Sequence, residues 1–225
     1  MNEYLLLVFA CVSFVGTHFL MSHSWRAAIV RRLGANGFLL AYSAISLALF
    51  VWMVIEFGRA PKPEMFWPVG DIIWAVASAI TLLAAILFAG SFVKNPSLPG
   101  MPDAMAAQMP SGVFKVTRHP MMWGFALWAM AHIFVAPRID NFIFSGSILF
   151  LALAGAKAQE IKKLKLTGVE WEAWLRRTSF ALQLTALPRV GAGPWITGIA
   201  IWVLATWSHP FWGVGGAGIF RWFSF

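Results

Sequence analysis

The stretch from Phe38 to Phe57, FLLAYSAISLALFVWMVIEF, holds a single charged side chain, Glu56, next to its end. As a helix it is about 30 Å long, which matches the hydrocarbon core of a bilayer. Five more apolar runs approach the same span: Tyr4 to Met21, Ile72 to Val93, Met121 to Ala136, Phe142 to Ala156 and Pro194 to Trp207. The last three are short, and as spanning helices they tilt less or extend into their flanks. The expected architecture is therefore all-α: a polytopic transmembrane bundle of about six helices, one domain over residues 1–225.

Composition agrees with the runs. Apolar residues make up 60% of the chain and charged ones 12%, against roughly half and a quarter in soluble domains. Thirteen Trp and twenty Phe stand against two Tyr, as expected for rings held in lipid, between helices and at the membrane boundary. The net charge is +8, yet its placement follows topology and gives no reason to expect nucleic acid as a partner. Thirteen Lys and Arg fall in the connections after the first, third and fifth runs, and Arg59, Lys62, Arg138 and Arg221 fall on the other side. By the excess of basic residues in cytoplasmic loops, both termini are expected on the non-cytoplasmic side. The first run begins Met-Asn-Glu-Tyr, without a basic leader or a small-residue cleavage site, and reads as a retained helix.

Two connections are more than turns. Lys94 to Thr117 carries Pro96, Pro99, Pro102 and Pro110, which prevent a continuous helix and leave a linker, or a lid or interfacial loop. Lys157 to Arg177 sets Lys162, Lys163 and Lys165 near Trp171 and Trp174, the pattern of a basic helix lying on an anionic leaflet.

The one cysteine, Cys11, rules out an intramolecular disulfide and a four-thiolate metal site, so any metal rests on histidine or carboxylate. Ionisable groups inside spanning segments are rare enough to be functional candidates. His18 lies near the cytoplasmic end of the first helix, and His132 lies thirteen residues beyond His119, about 20 Å along a helix and so near the outer face. His209, in Trp-Ser-His-Pro after the sixth run, is also outer, and His23 is a loop residue. Each of these can be a structural histidine donating to a carbonyl. Several in so small a bundle favour a ligand role, and two imidazoles in an apolar pocket suit haem iron better than zinc.

Thr117-Arg118-His119-Pro120 opens the fourth helix, with proline where its missing N–H costs nothing. Arg118 and His119 then sit at the positive end of a helix dipole, which calls for an anion, or for Arg118 to reach lipid head groups. Glu160, at the end of the fifth helix, and Glu170 are carboxylates within reach of Arg118 or of a cationic ligand.

Thr17-His18, Thr117 to Pro120 with Gly124, Trp128 and Ala131-His132, Gly168 to Ser179, and His209-Pro210 together resemble the NnrU family of bacterial membrane proteins and its plant relative zeta-carotene isomerase. The likeness covers Phe14 to Phe211. It implies a multi-pass protein of the bacterial inner membrane with a small hydrophobic or redox ligand. From the isomerase branch it implies a haem b whose axial ligands fall on His18 and His132, with His209 in reserve. The family name adds a redox or nitrogen-oxide role linked to denitrification, and the isomerase adds isomerase-type chemistry. Where the isomerase has a cysteine three residues before the histidine matching His132, this chain has Ala129. A more distant likeness, through Arg118-His119-Pro120, Glu160, Gly168, Glu170 and Trp171, is to isoprenylcysteine carboxyl methyltransferases, which implies S-adenosylmethionine near Arg118, His119 and Glu160; Met122 stands where that family usually has tyrosine. A third expectation is a non-enzymatic accessory protein with structural histidines.

Overall fold

The computed structural model describes residues 2–98, 103–213 and 215–223, and among them it is helical with no strand. The helices are α1 (Leu5–Ser22), α2 (Arg26–Arg59), α3 (Asp71–Gly90), α4 (Pro120–Val135), α5 (Ile139–Thr167), α6 (Val169–Arg177) and α7 (Ala192–Ser208). All six expected apolar runs are helical. Four helices, α1, α2, α3 and α5, are long and apolar enough to cross a membrane, and α4 is a shorter apolar one. They expose large apolar residues, among them Leu6, Phe9, Leu40, Leu47, Ile72 and Phe150, a surface suited to lipid contact.

Two helices outrun their apolar segments. In α2, Gly34 adopts φ 71° and ψ 175° and breaks the helix, separating the basic turn that carries Arg26, Arg31 and Arg32 from the spanning part. Glycine suits the position because a Cβ strains this backbone. α5 continues past Ala156 because Lys157, Gln159, Glu160 and Lys162 are good helix formers. It stops at Gly168, whose φ is 53°.

α3 packs against α4 and α7, α4 against α5, α5 against α1, and α1 against α2, so the helices form a row α7–α3–α4–α5–α1–α2. Small residues set the closest approaches, as in membrane bundles generally. A Cβ on Gly198 of α7 would lie 2.5 Å from Ile86 Cα of α3, and one on Gly124 of α4 would lie 3.0 Å from the Ala84 carbonyl oxygen. One interhelical hydrogen bond, from Trp202 Nε1 to Thr81 Oγ1 at 3.0 Å, ties α7 to α3.

The structure corrects two expectations about the connections. Trp171 and Trp174 of α6 are buried, against Phe114, Val113, Val116 and Leu127, not laid on lipid. They are three residues apart on the apolar face of an amphipathic helix, and that face is covered by the connection between α3 and α4. That connection is correspondingly more than a linker: it forms short 3-10 turns at Asp103–Ala107 and Gly112–Lys115. Arg177 donates to the carbonyls of Ala106 and Ala107 at 2.9 and 2.8 Å, which holds it down. Pro99 and Pro102 lie outside the described residues.

Candidate functional site

Pro120 occupies the first turn of α4 as its sequence context predicts, with His119 as the capping residue. Arg118 and His119 do meet an anion there, and it belongs to the chain. Arg118 Nε and His119 Nε2 both donate to Glu160 Oε1, the latter at 3.1 Å, and Lys157 Nζ donates to Oε2 at 3.0 Å. Arg118 Nη1 donates to the Thr178 carbonyl at 2.7 Å. The segment after α6 is docked by further bonds: Thr117 Oγ1 and Trp123 Nε1 donate to the Phe180 carbonyl at 2.8 and 2.7 Å, and the Arg118 amide donates to the Ser179 carbonyl at 2.8 Å. Glu160 and His119 are both buried. Three cationic or potentially cationic groups therefore converge on one carboxylate, and the cluster ties α4, α5 and the segment after α6 together. Glu170 and Glu172, the other carboxylates of this region, are exposed.

A second ion cluster closes the opposite end of the bundle. Asp140, fully buried, accepts from Lys62 at 2.9 Å and from Arg138 at 3.1 Å. Glu56 is also buried and takes Arg59 at 3.0 Å and Trp52 Nε1 at 3.2 Å. The carboxylate seen in the second apolar run is thus an internal fastening.

The histidines separate into two places. His18 is half-buried in α1, where its ring meets Phe14 and Tyr42 edge-on at 4.4 and 5.4 Å between centroids. Nδ1 lies 2.7 Å from the Phe14 carbonyl oxygen. A carbonyl only accepts, so Nδ1 carries the proton and Nε2 keeps its lone pair. His132 and His209 do the same with the Trp128 and Ala205 carbonyls, each at 2.8 Å. His132 lies 4.0 Å from Trp128 and 6.3 Å from His209 between ring centroids. The structure thus brings His132 and His209 together, on helices α3 separates, as their equal expected depth implied. His18 belongs to a different neighbourhood, and Trp128 is the side chain the two neighbourhoods share.

That shared side chain lines a cavity of about 600 Å³ between α1, α2, α4 and α5. Its walls are Phe14, Phe50, Met122, Phe125, Trp128, Ile148 and Leu151, with His18 and Tyr42 among them. Gln159, Lys162, Ser22 and His23 complete its polar part. The size falls in the roughly 300–1,000 Å³ range of small-molecule and cofactor sites, as does the pattern of apolar walls with few polar groups. Sequence reading did not single out Tyr42 or Gln159, and it placed Lys162 on a lipid-facing helix. The available signal was a lysine less than two turns past Ala156, where the apolar run of α5 ends.

Among the described residues there is no group of three or more His, Cys, Asp or Glu able to hold a metal ion. A zinc-type site built from protein ligands is not formed there. A haem differs, because its ring supplies four nitrogens and one or two protein ligands suffice. The cavity's volume, apolar walls and His18 with a free Nε2 fit such a group.

An all-helical bundle with an apolar surface and four helices long and apolar enough to cross a bilayer defines a multi-pass membrane protein. A family model described as NnrU protein matches residues 6–215, and the chain belongs to the NnrU family. Neither the comparison with curated proteins nor that with solved structures found a match.

Proposed function

We propose that the chain binds haem b in the cavity beside His18 and serves a redox or nitrogen-oxide role at the cytoplasmic membrane, with the basic side of the bundle facing the cytoplasm. The observation that carries this reading is the state of His18. Its Nδ1–H is held by the Phe14 carbonyl, which fixes ring and tautomer in the way metal-bound histidines are usually supported. Its Nε2 is left for iron on the wall of an apolar cavity. When bound, the haem supplies a redox-active iron. The chain's residues would hold it: His18 through Nε2, Phe14, Phe125 and Trp128 as the surrounding aromatic wall, and the apolar lining by excluding water.

The family pairing makes His132 the second ligand. His132 lies against Trp128, which lines the cavity, and is not itself among the lining residues. The S-adenosylmethionine reading has less support, because Glu160 and Arg118 are already committed to each other and to neighbouring groups.

The test is the absorption spectrum, oxidised and dithionite-reduced, of protein expressed with ample haem and purified in mild detergent. Stoichiometric haem with a Soret band that His18→Ala removes is the expected result. His132→Ala should keep the haem and lose only the low-spin, six-coordinate signature. A colourless folded protein that also fails to take up added haem overturns the reading.

A further inference from the structure

Lys162 stands 23 residues into α5, about 35 Å from its start and hence near the head-group level of the bilayer. It is half-buried and lines the cavity. Among the described residues no carboxylate pairs with it. The charged groups facing it are cations, Arg26 from α2 and Lys163 from its own helix. Arg26 in turn lies over the Phe38 ring at 5.5 Å. This differs from the rest of the polar interior, where Asp140, Glu56 and Glu160 are each matched with cations. Gln159, one turn before Lys162 on the same wall, spends its amide N–H on the Ser97 carbonyl at 3.1 Å, which fixes the side chain where the cavity becomes polar.

A half-buried lysine on the wall of an apolar cavity, with no carboxylate paired to it among the described residues, favours a ligand that brings an anion. We infer that Lys162 is the acid-recognising residue of the His18 cavity, and that the occupant is an amphipathic anion with an apolar body among the aromatic side chains and a carboxylate or phosphate at Lys162. The inference rests on the cavity being the ligand site. Two sources supply this chemistry, the propionates of a haem and the acidic head of a lipid.

The test compares full-length protein in neutral detergent with its Lys162→Gln and Lys162→Arg variants, each first shown to be folded by circular dichroism and size exclusion. The probes are hemin and hemin dimethyl ester, which lacks free propionates, followed by absorption. Oleate and oleyl alcohol are followed by native mass spectrometry. Wild type is expected to prefer hemin to its ester by about tenfold, one charge-assisted contact. Lys162→Gln removes that preference with the Soret position unchanged, and Lys162→Arg keeps it. If neither porphyrin binds but oleate is retained over oleyl alcohol in a Lys162-dependent way, the inference stands with a lipid acid as the source and the haem reading falls. If hemin and its ester bind equally, or Lys162→Gln keeps the preference, the inference is overturned and the haem reading stands. If no probe binds, both fall.

Discussion

The two charged regions on the basic side of this bundle lie on the same helix, α5, and differ in one respect. Around Glu160 each strong charge has its opposite within the chain: Arg118, His119 and Lys157 share one buried carboxylate. Lys162, half a turn further on, lines a cavity and has no carboxylate paired to it among the described residues. A closed set of charges is explained by folding alone, since a buried ion persists only when paired and hydrogen-bonded. A lysine without an internal anion is open to a partner from outside the chain. The Arg-His-Pro signature therefore acts as a clasp in this structure, and the proposed ligand lies instead in the cavity that His18 and Lys162 line.

The largest effect should come from opening the closed region. Glu160→Ala leaves Arg118 and Lys157 without an anion in a partly buried place, and stability should fall by about 3–5 kcal/mol. Thermal unfolding in detergent measures this, and an unchanged midpoint would show that the cluster is not a clasp. His18→Ala acts on the open region. It should abolish haem uptake while the unfolding midpoint moves by no more than a surface substitution would, roughly 0.5 kcal/mol. Filling the cavity comes next. A Cβ on Gly155 meets nothing closer than Leu151 Cδ1 at 3.9 Å, so Gly155→Phe projects into space the ligand needs. The protein should stay folded and bind hemin about tenfold more weakly, the scale set by overpacking costs of 1–3 kcal/mol. The smallest effect is that of salt. Raising ionic strength from 0.1 to 1 M shortens the screening length from about 10 to 3 Å. The preference for hemin over its ester should shrink and the unfolding midpoint should hold, because the Glu160 contacts are buried and the Lys162 contact is at the rim.

Reading the chain unaided located the six apolar helices, because a bilayer sets both their length and their composition. It also located the start of α4 at Pro120, because proline's missing N–H is tolerated there and not a turn later. It singled out His18 and His132 inside apolar runs, and His119 and Glu160 at helix ends, as candidates. It did not show which of them meet. His18 and His132 looked like partners by family likeness, yet His132 stands against His209, which lies 77 residues away in the chain. The tryptophans of α6 carried an ambiguous signal, since an apolar face looks the same whether lipid or protein covers it.

What the sequence by itself determined is the class of protein, the helical spans and the residue types available for chemistry, since hydropathy and helix geometry are local properties of the chain. What only the tertiary structure decided is how the charges are shared out. Whether Glu160 or a ligand neutralises Arg118, and whether Lys162 faces lipid or a cavity, depends on the order in which six similar helices pack. That order is set by close contacts such as Gly124 on Ala84 and Gly198 on Ile86, and these arise between segments distant in the chain, where no local pattern records them.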